Sequence, residues 1–544
     1  MFVQKTKSTR GNKTYHTYLV RESFRTAKGP RSRTICNITP LPAPVRELVA
    51  QALKGKSFVE AEQVELDEAL DYGGLAVLAD AWERFGMDGL YEEAASPRER
   101  GLIKAMVFAR LLFPCSKLAL REQAEGTLLA RACGLDPDED FDEDDLYEAM
   151  DAMTGHWVET EQTLRREAFC DGVDLVLYDL TSTYFDGGGP ELLARYGHSR
   201  DHRGDRKQII LAVATDVNGV PLHLSILRGN RADTSTLRGL LERLRRRFGI
   251  SRATFVFDGG MSSRLNLEAL EEEELKYVTR QSDATLTALI KELPEERQIE
   301  LGDRTQLIEI EHEGRRHVIA GGVWRRERDR ERRQVRMAKA EAALGELAGR
   351  KRKKVDAQKL ASQAGRLLQR LKAHKYYEYH VDEAGCLRWE VRADVVAEEE
   401  KTDGWYLLRT NLDCNEADPK TVLGHYKSLL GVEDAFRELK SYLEVRPIYH
   451  YRPDRVVNHV RICFIAYWLS ARLQLEWTSL GYNGEVPRLL RRLQTIRLGR
   501  LRVLGAEAPP AMTPINAELN EILAQINLLK LFAAPPKWAE NQSL

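Results

Sequence analysis

A chain of 544 residues, 43% hydrophobic and 30% charged, is long enough for several domains and at least one large core, which excludes a small stapled module. Its 82 basic and 83 acidic residues sum to a formal net charge of -1, so partners must be read from local asymmetry and not from the total. Seven scattered cysteines, with no C-x-x-C pair and no histidine at zinc-finger spacing, favour reduced thiols over disulfides or structural zinc.

In chain order, residues 1–50 alternate apolar and polar around NKTYHTYLVRESFRT and turn at AKGP, the pattern of a small basic β-meander. Residues 51–165 carry apolar side chains at three- and four-residue spacing in GGLAVLADAWERFG, RERGLIKAMVFARLLF and KLALREQAEGTLLARACG, which predicts a bundle of short helices. Nine acids between 136 and 148 read as a solvated linker running into an acid-rich helix start, with a metal site as the weaker reading.

The rhythm changes over 166–289. VDLVLYDLTSTYF, KQIILAVATDV and VPLHLSILRG predict three strands, the last two joined by a turn at Asn218 and Gly219. A crossover helix over 233–249 leads to ATFVFDGG, a short apolar run of the kind found in buried parallel strands, and then to a helix and the strand KYVTR. The result is a mixed sheet with helices packed on it.

Residues 290–403 read as an insertion: a hairpin in RTQLIEIEHEGRRHVIAGG, a basic helical stretch, and a second strand pair in YYEYHVDEAGCLRWEVRA. Residues 325–375 hold 18 Lys and Arg against 6 Asp and Glu, an excess of 18 minus 6, or twelve. The excess includes Arg350, Lys351, Arg352, Lys353 and Lys354. It suits a polyanion such as DNA, and equally a solvated helical hairpin laced with i,i+4 pairs.

Over 404–480 the core resumes with the strand GWYLLRTNL and a helix spanning 421–443, supported by an apolar helix at 458–476. Leu429, Val432, Phe436, Leu439 and Leu443 form its apolar stripe, while Glu433 and Lys440, seven residues apart, share another face. Residues 481–544, with APPAM as a breaker, predict a C-terminal helical region. The most apolar run, from Ile462, is broken by arginines before it reaches bilayer length, and no apolar signal core follows Met1, so a cytoplasmic protein with no membrane partner is expected.

Three acids stand out. Asp179 sits inside an apolar strand, where a carboxylate is costly unless paired; Asp258 ends another strand; Glu433 lies on the late helix. Taken singly, each has an ordinary reading: a hydrogen-bonded core carboxylate, a strand-to-turn aspartate and a solvated helix acid. If the two strands are neighbours and the helix crosses them, the carboxylates converge into an oxygen-ligand site suited to Mg²⁺ and to phosphodiester chemistry. Asp174, Asp186 and Asp216 are weaker candidates, and structural roles are the default for His198, His202 and His450.

The order strand-Asp, strand-Asp, helix-Glu, with YDLTSTYFDG, FVFDGGMSS and YKSLLGVEDAFRELKS around them, resembles the DDE transposases of bacterial insertion sequences. The resemblance runs from about 175 to 475. It points to the subgroup whose signature is Tyr, two residues, Arg, three residues, Glu, six residues, Lys. Tyr426, Glu433 and Lys440 match at that spacing, and Leu429 stands where the Arg would be.

The resemblance implies an α/β fold: an RNase H-like mixed five-stranded sheet with flanking helices, interrupted by the inserted domain, with the N-terminal meander and helical domain before it. It implies Asp179, Asp258 and Glu433 as catalytic residues and ligands of Mg²⁺, with Mn²⁺ substituting. Tyr426 and Lys440 would contact DNA near the cut, with the basic run 350–354 adding further contacts. The partner would be double-stranded DNA, both element terminal repeats and target, with 51–165 binding the ends of the element. A homodimer on DNA in a bacterial cytoplasm, nucleoid-associated when bound, is expected. Two alternatives remain at this point: an RNase H-like nuclease without strand transfer, and an inactive transposase-derived DNA-binding protein.

Overall fold

The computed structural model describes all residues except 11–12, 27–28, 57, 169–173, 232–236, 238, 242–252, 293–304, 351–355 and 540–544. Its contacts divide the chain into two units, Met1–Tyr72 with Thr495–Ile515, and Gly73–Gln494 with Asn516–Leu544.

In the first unit the alternating N-terminal sequence forms an antiparallel meander of β1 (Phe2–Arg10), β2 (Lys13–Thr26) and β3 (Gly29–Asn37), as its period of two requires. The segment Val64–Asp71, expected to be part of the helical region, is instead a strand, β4. Its alternating acids and leucines fit a two-sided edge better than a helix.

The second unit is built on β5 (Leu175–Tyr184), β6 (Gln208–Thr215), β7 (Pro221–Arg228), β8 (Thr254–Phe257) and β9 (Lys276–Arg280). β5 pairs antiparallel with β6 and β6 with β7, while β8 runs parallel to β5 and β9 parallel to β8. The turn between β6 and β7 needs Gly219 at φ 79, and the Asp216 carboxylate accepts from the Asn218 and Val220 amides to close it. Most of the helix expected over 233–249 lies outside the described residues.

The sheet does not stop at five strands. The insertion's first hairpin, β10 (Gln306–His312) with β11 (Arg315–Gly321), reaches the core through β14 (Trp405–Thr410), giving the order β10-β11-β14-β9-β8-β5-β6-β7. The expected five-stranded sheet is therefore eight-stranded. Val318, Ile319 and Ala320 of β11, on both faces of the strand, are fully buried beside β14, which a free-standing hairpin would leave wet.

The rest of the insertion folds on its own core. The helix Val323–Gly349, the helix Ala357–Arg370 and the hairpin of β12 (Tyr377–Val381) with β13 (Leu387–Val391) bury Leu344, Leu360, Leu368, Tyr376 and Leu387 together. The helices of the 51–165 region pack in the same unit as the large sheet: Pro97–Leu112 and Glu143–Ala152 lie against the long apolar helix Pro453–Ser479, which also meets β7. The acid run does start a helix, with Asp142 and Asp145 forming a capping box.

The expected C-terminal helical region contains a hairpin, β15 (Arg497–Val503) with β16 (Ala506–Met512), and β15 pairs with β4 in the first unit. The APPAM breaker is thus a strand, tolerated because β16 is the edge of its sheet, where proline forfeits no ladder bond. Among the described residues no helix is long and apolar enough to cross a membrane, and the six described cysteines are free.

Candidate active site

Strand register brings two of the acids level. Tyr178 of β5 pairs with Phe257 of the parallel β8, so Asp179, within β5, and Asp258, just past the end of β8, come level on neighbouring strands, whose usual spacing is about 4.8 Å. Tyr178 and Phe257 both point into the core beneath the sheet. Alternation therefore turns Asp179 and Asp258 toward the opposite face. That face is crossed by the helix Leu430–Arg437, whose Val432, Ala435 and Phe436 are buried and whose Glu433 is exposed.

Asp179 feels the other two carboxylates. Burial pushes Asp179 up to about 7; the Leu180 amide, which donates to its Oδ1 at 2.7 Å, and the charge of Arg200 oppose this, while Asp258 and Glu433 add to the rise. A half-buried aspartate repelled by two further acids is a site whose electrostatics favour a cation. Asp258, just past the end of β8, and Glu433 are exposed, and the donor set is all carboxylate oxygen, which fits a hard divalent ion. As placed, no three His, Cys, Asp or Glu side chains among the described residues form a cluster tight enough to hold an ion.

The expected helix over 421–443 is divided. Pro419–Ser428 ends next to Leu429, Leu430–Arg437 follows, and Glu438–Tyr442 is a π turn. The apolar stripe is nonetheless buried at Leu429, Val432, Phe436, Leu439 and Leu443. The wider i→i+5 turn rotates Lys440 relative to the regular helix that the seven-residue spacing assumed. Lys440 donates to Asp201 Oδ1 at 2.7 Å, and Arg446 reaches the same oxygen at 2.5 Å. Burial lowers the pKa of Lys440 and the Asp201 carboxylate only partly restores it.

Tyr426 stands beside the acids. Its hydroxyl donates to Asp258 Oδ1 at 3.4 Å, and its ring lies 5.9 Å from that of Tyr406. Arg325 sits 4.6 Å over Tyr406. Arg280, which ends β9, is held above its ordinary basicity against burial by Asp283, Tyr426 and Asp258. Arg350 is exposed just past the end of its helix, and Lys351, Arg352, Lys353 and Lys354 lie outside the described residues. His450 packs against His459 at 5.2 Å and Tyr147 at 5.9 Å, a structural setting.

Arg200, Asp201, Arg280, Arg325 and Tyr406 were not singled out from sequence. The signal for the first two was the charge-dense SRDHRGDR between two strands, a loop whose Arg200 amide is tied to the Ser182 hydroxyl of β5 at 2.9 Å.

Residues 176–469, more than half of the chain and including all three acids, match the family model described as Transposase DDE domain, and the chain belongs to that family. Among solved structures, the piggyBac transposase synaptic complex with hairpin DNA, determined by cryo-EM, is similar over 86% of each chain at 10% identity, with a TM-score of 0.38, a likeness too slight to carry a role across. No curated protein matches the chain in sequence.

Proposed function

We propose that the protein is the transposase of an insertion sequence, cutting DNA at the ends of its element and joining the freed 3′-hydroxyls to target DNA. The observation that carries this reading is the level placement of Asp179 and Asp258 on adjacent parallel strands under the helix of Glu433, within a chain of the DDE family. The central order β7-β6-β5-β8-β9, with β6 antiparallel and β8 parallel to β5, supports an RNase H-like core.

In this reading Asp179, Asp258 and Glu433 hold divalent metal, Mg²⁺ with Mn²⁺ as substitute. Bound there, the metal supplies positive charge at the scissile phosphate and at the attacking and leaving oxygens. The chain's part is to fix the carboxylates: β5 and the Leu180 amide orient Asp179, β8 aligns Asp258, and the buried stripe beneath Glu433 sets the helix. In the first step a water oxygen forms a bond to phosphorus as the P–O3′ bond breaks and a 3′-hydroxyl is released. In the second that hydroxyl attacks a target phosphate in line and displaces another 3′-oxygen. Handling two ends together calls for a dimer on double-stranded DNA.

Tyr426 fits the Tyr-Arg-Glu-Lys subgroup role beside the cut. Leu429 in place of Arg, and Lys440 already paired with Asp201, favour one second reading, a nuclease of this fold whose end handling departs from the subgroup. The test is cleavage of duplexes carrying the element's ends. Glu433→Gln should abolish Mg²⁺-dependent cutting while sparing binding, and persistent cutting contradicts the assignment. Cutting without joining by the native protein would select the nuclease.

A further inference from the structure

A line of basic residues leads away from the acids. It starts at Arg280 and at Arg325, which covers Tyr406 at 4.6 Å beside Tyr426 and Asp258. Both arginines line a cavity of about 580 Å³ together with Arg332 and Arg336 of the helix Val323–Gly349. Those two also line a second cavity of about 490 Å³, joined there by Lys339 and by Arg370 and Lys372 from the end of the following helix. The cavities thus share a wall.

In the second cavity the charge is not balanced from within, with five cations against one acid, Glu331. The first is near balance, six cations against five acids, with Asp403 on Arg333 at 2.5 Å, Asp283 on Arg280 at 2.8 Å, Glu399 on Lys375 at 3.0 Å and Asp329 on Arg325 at 3.8 Å. By contrast, Arg332, Arg336, Lys339, Arg370 and Lys372 make no ion pair with any described residue. Scattered surface lysines and arginines are usually just solvated. Here they converge from two helices onto one concave strip, which the first cavity joins to Arg280 and Arg325 beside the acids.

The spacing suits a phosphate backbone. Arg332, Arg336 and Lys339 fall at intervals of four and three on one helix face and span roughly 10.5 Å of its axis. One strand of duplex DNA presents a phosphate about every 3.4 Å of axis, so the strip matches about three of them.

We propose that this strip is the exit track for the duplex flanking the scissile bond, its phosphates running from Arg325 past Arg332 and Arg336 to Lys339, Arg370 and Lys372. The proposal rests on the transposase reading and adds the direction in which DNA leaves the acids. It places non-specific, salt-sensitive affinity on the helical hairpin's groove and not on the basic run 350–354.

The test is the salt dependence of binding to a duplex carrying the element's end. In the triple variant Arg332→Gln, Arg336→Gln, Lys339→Gln the slope of log affinity against log salt should fall by about 2 to 3. Lys339→Gln with Arg370→Gln, a milder pair on exposed positions, should lower it by about 2. A control pair on ion-paired cations outside the strip, Arg388→Gln with Lys401→Gln, should leave it unchanged. If both strip variants keep the native slope, the track is wrong and the transposase reading stands. If the native protein neither binds nor cuts the duplex, the reading fails and takes the track with it.

Discussion

The Lys440 ammonium donates a 2.7 Å hydrogen bond to Oδ1 of Asp201, a residue 239 positions earlier in the chain. Arg446 shares that oxygen at 2.5 Å, and the lysine and aspartate side chains are only 10% and 6% exposed. The pair ties the loop between β5 and β6 to the π turn after the helix of Glu433, so it holds two walls of the site together. Asp201→Asn would leave the largely buried Lys440 and the partly exposed Arg446 without a counter-charge, at a cost of up to about 3 kcal/mol. Removing the lysine as well, in Asp201→Asn with Lys440→Met, should recover part of that loss. Urea unfolding reads both, and a single variant as stable as the native protein would show that the pair contributes nothing.

Asp179 makes stability and activity oppose each other. Burial first, then Asp258 and Glu433, raise its folded pKa to about 7 from an ordinary 3.8. Because the folded value lies above the unfolded one, the neutral acid is favourable below pH 4, and that contribution is lost as pH rises through about 7. Metal-free Asp179→Asn should therefore be more stable than the native protein at pH 8, by up to ~4 kcal/mol, with the gap closing toward pH 4. Cleavage should disappear in the same variant. Thermal melts across this range check the first expectation, and a gap independent of pH would contradict it.

Tyr426 offers a smaller test. Its 3.4 Å bond to Asp258 is long, so Tyr426→Phe should cost no more than about 1 kcal/mol, or roughly fivefold in cleavage rate. Tyr426→Ala also removes the ring beside Tyr406 and should lower the rate and loosen DNA binding further. Equal effects from the two variants would place the whole contribution in the hydroxyl, contrary to this expectation.

Much of the site was legible because it rests on short-range rules. The apolar run around Asp179, the Asn-Gly turn and the short run ending at Asp258 each announce their strands, while the register that brings the two acids level is supplied by the structure. The buried stripe from Leu429 to Leu443 was readable for the same reason.

What escaped depends on partners distant in sequence. Nothing local says that β10 and β11 join the large sheet through β14, or that a proline-bearing segment becomes an edge strand beside β15 and β4. The π turn is a departure from helical period that spacing rules assume away, and it is what delivers Lys440 to Asp201. Asp201 itself sat in a loop too rich in charge to single out one residue.

The central claim is that Asp179, Asp258 and Glu433 share divalent metal, and the direct measurement is the anomalous signal from crystals of the protein soaked in Mn²⁺. The account expects one or two peaks among the three carboxylates, about 3.5–4 Å apart when both are present, and none in Asp179→Asn. Peaks confined to other acids, or a site undisturbed by loss of Asp179, would contradict it.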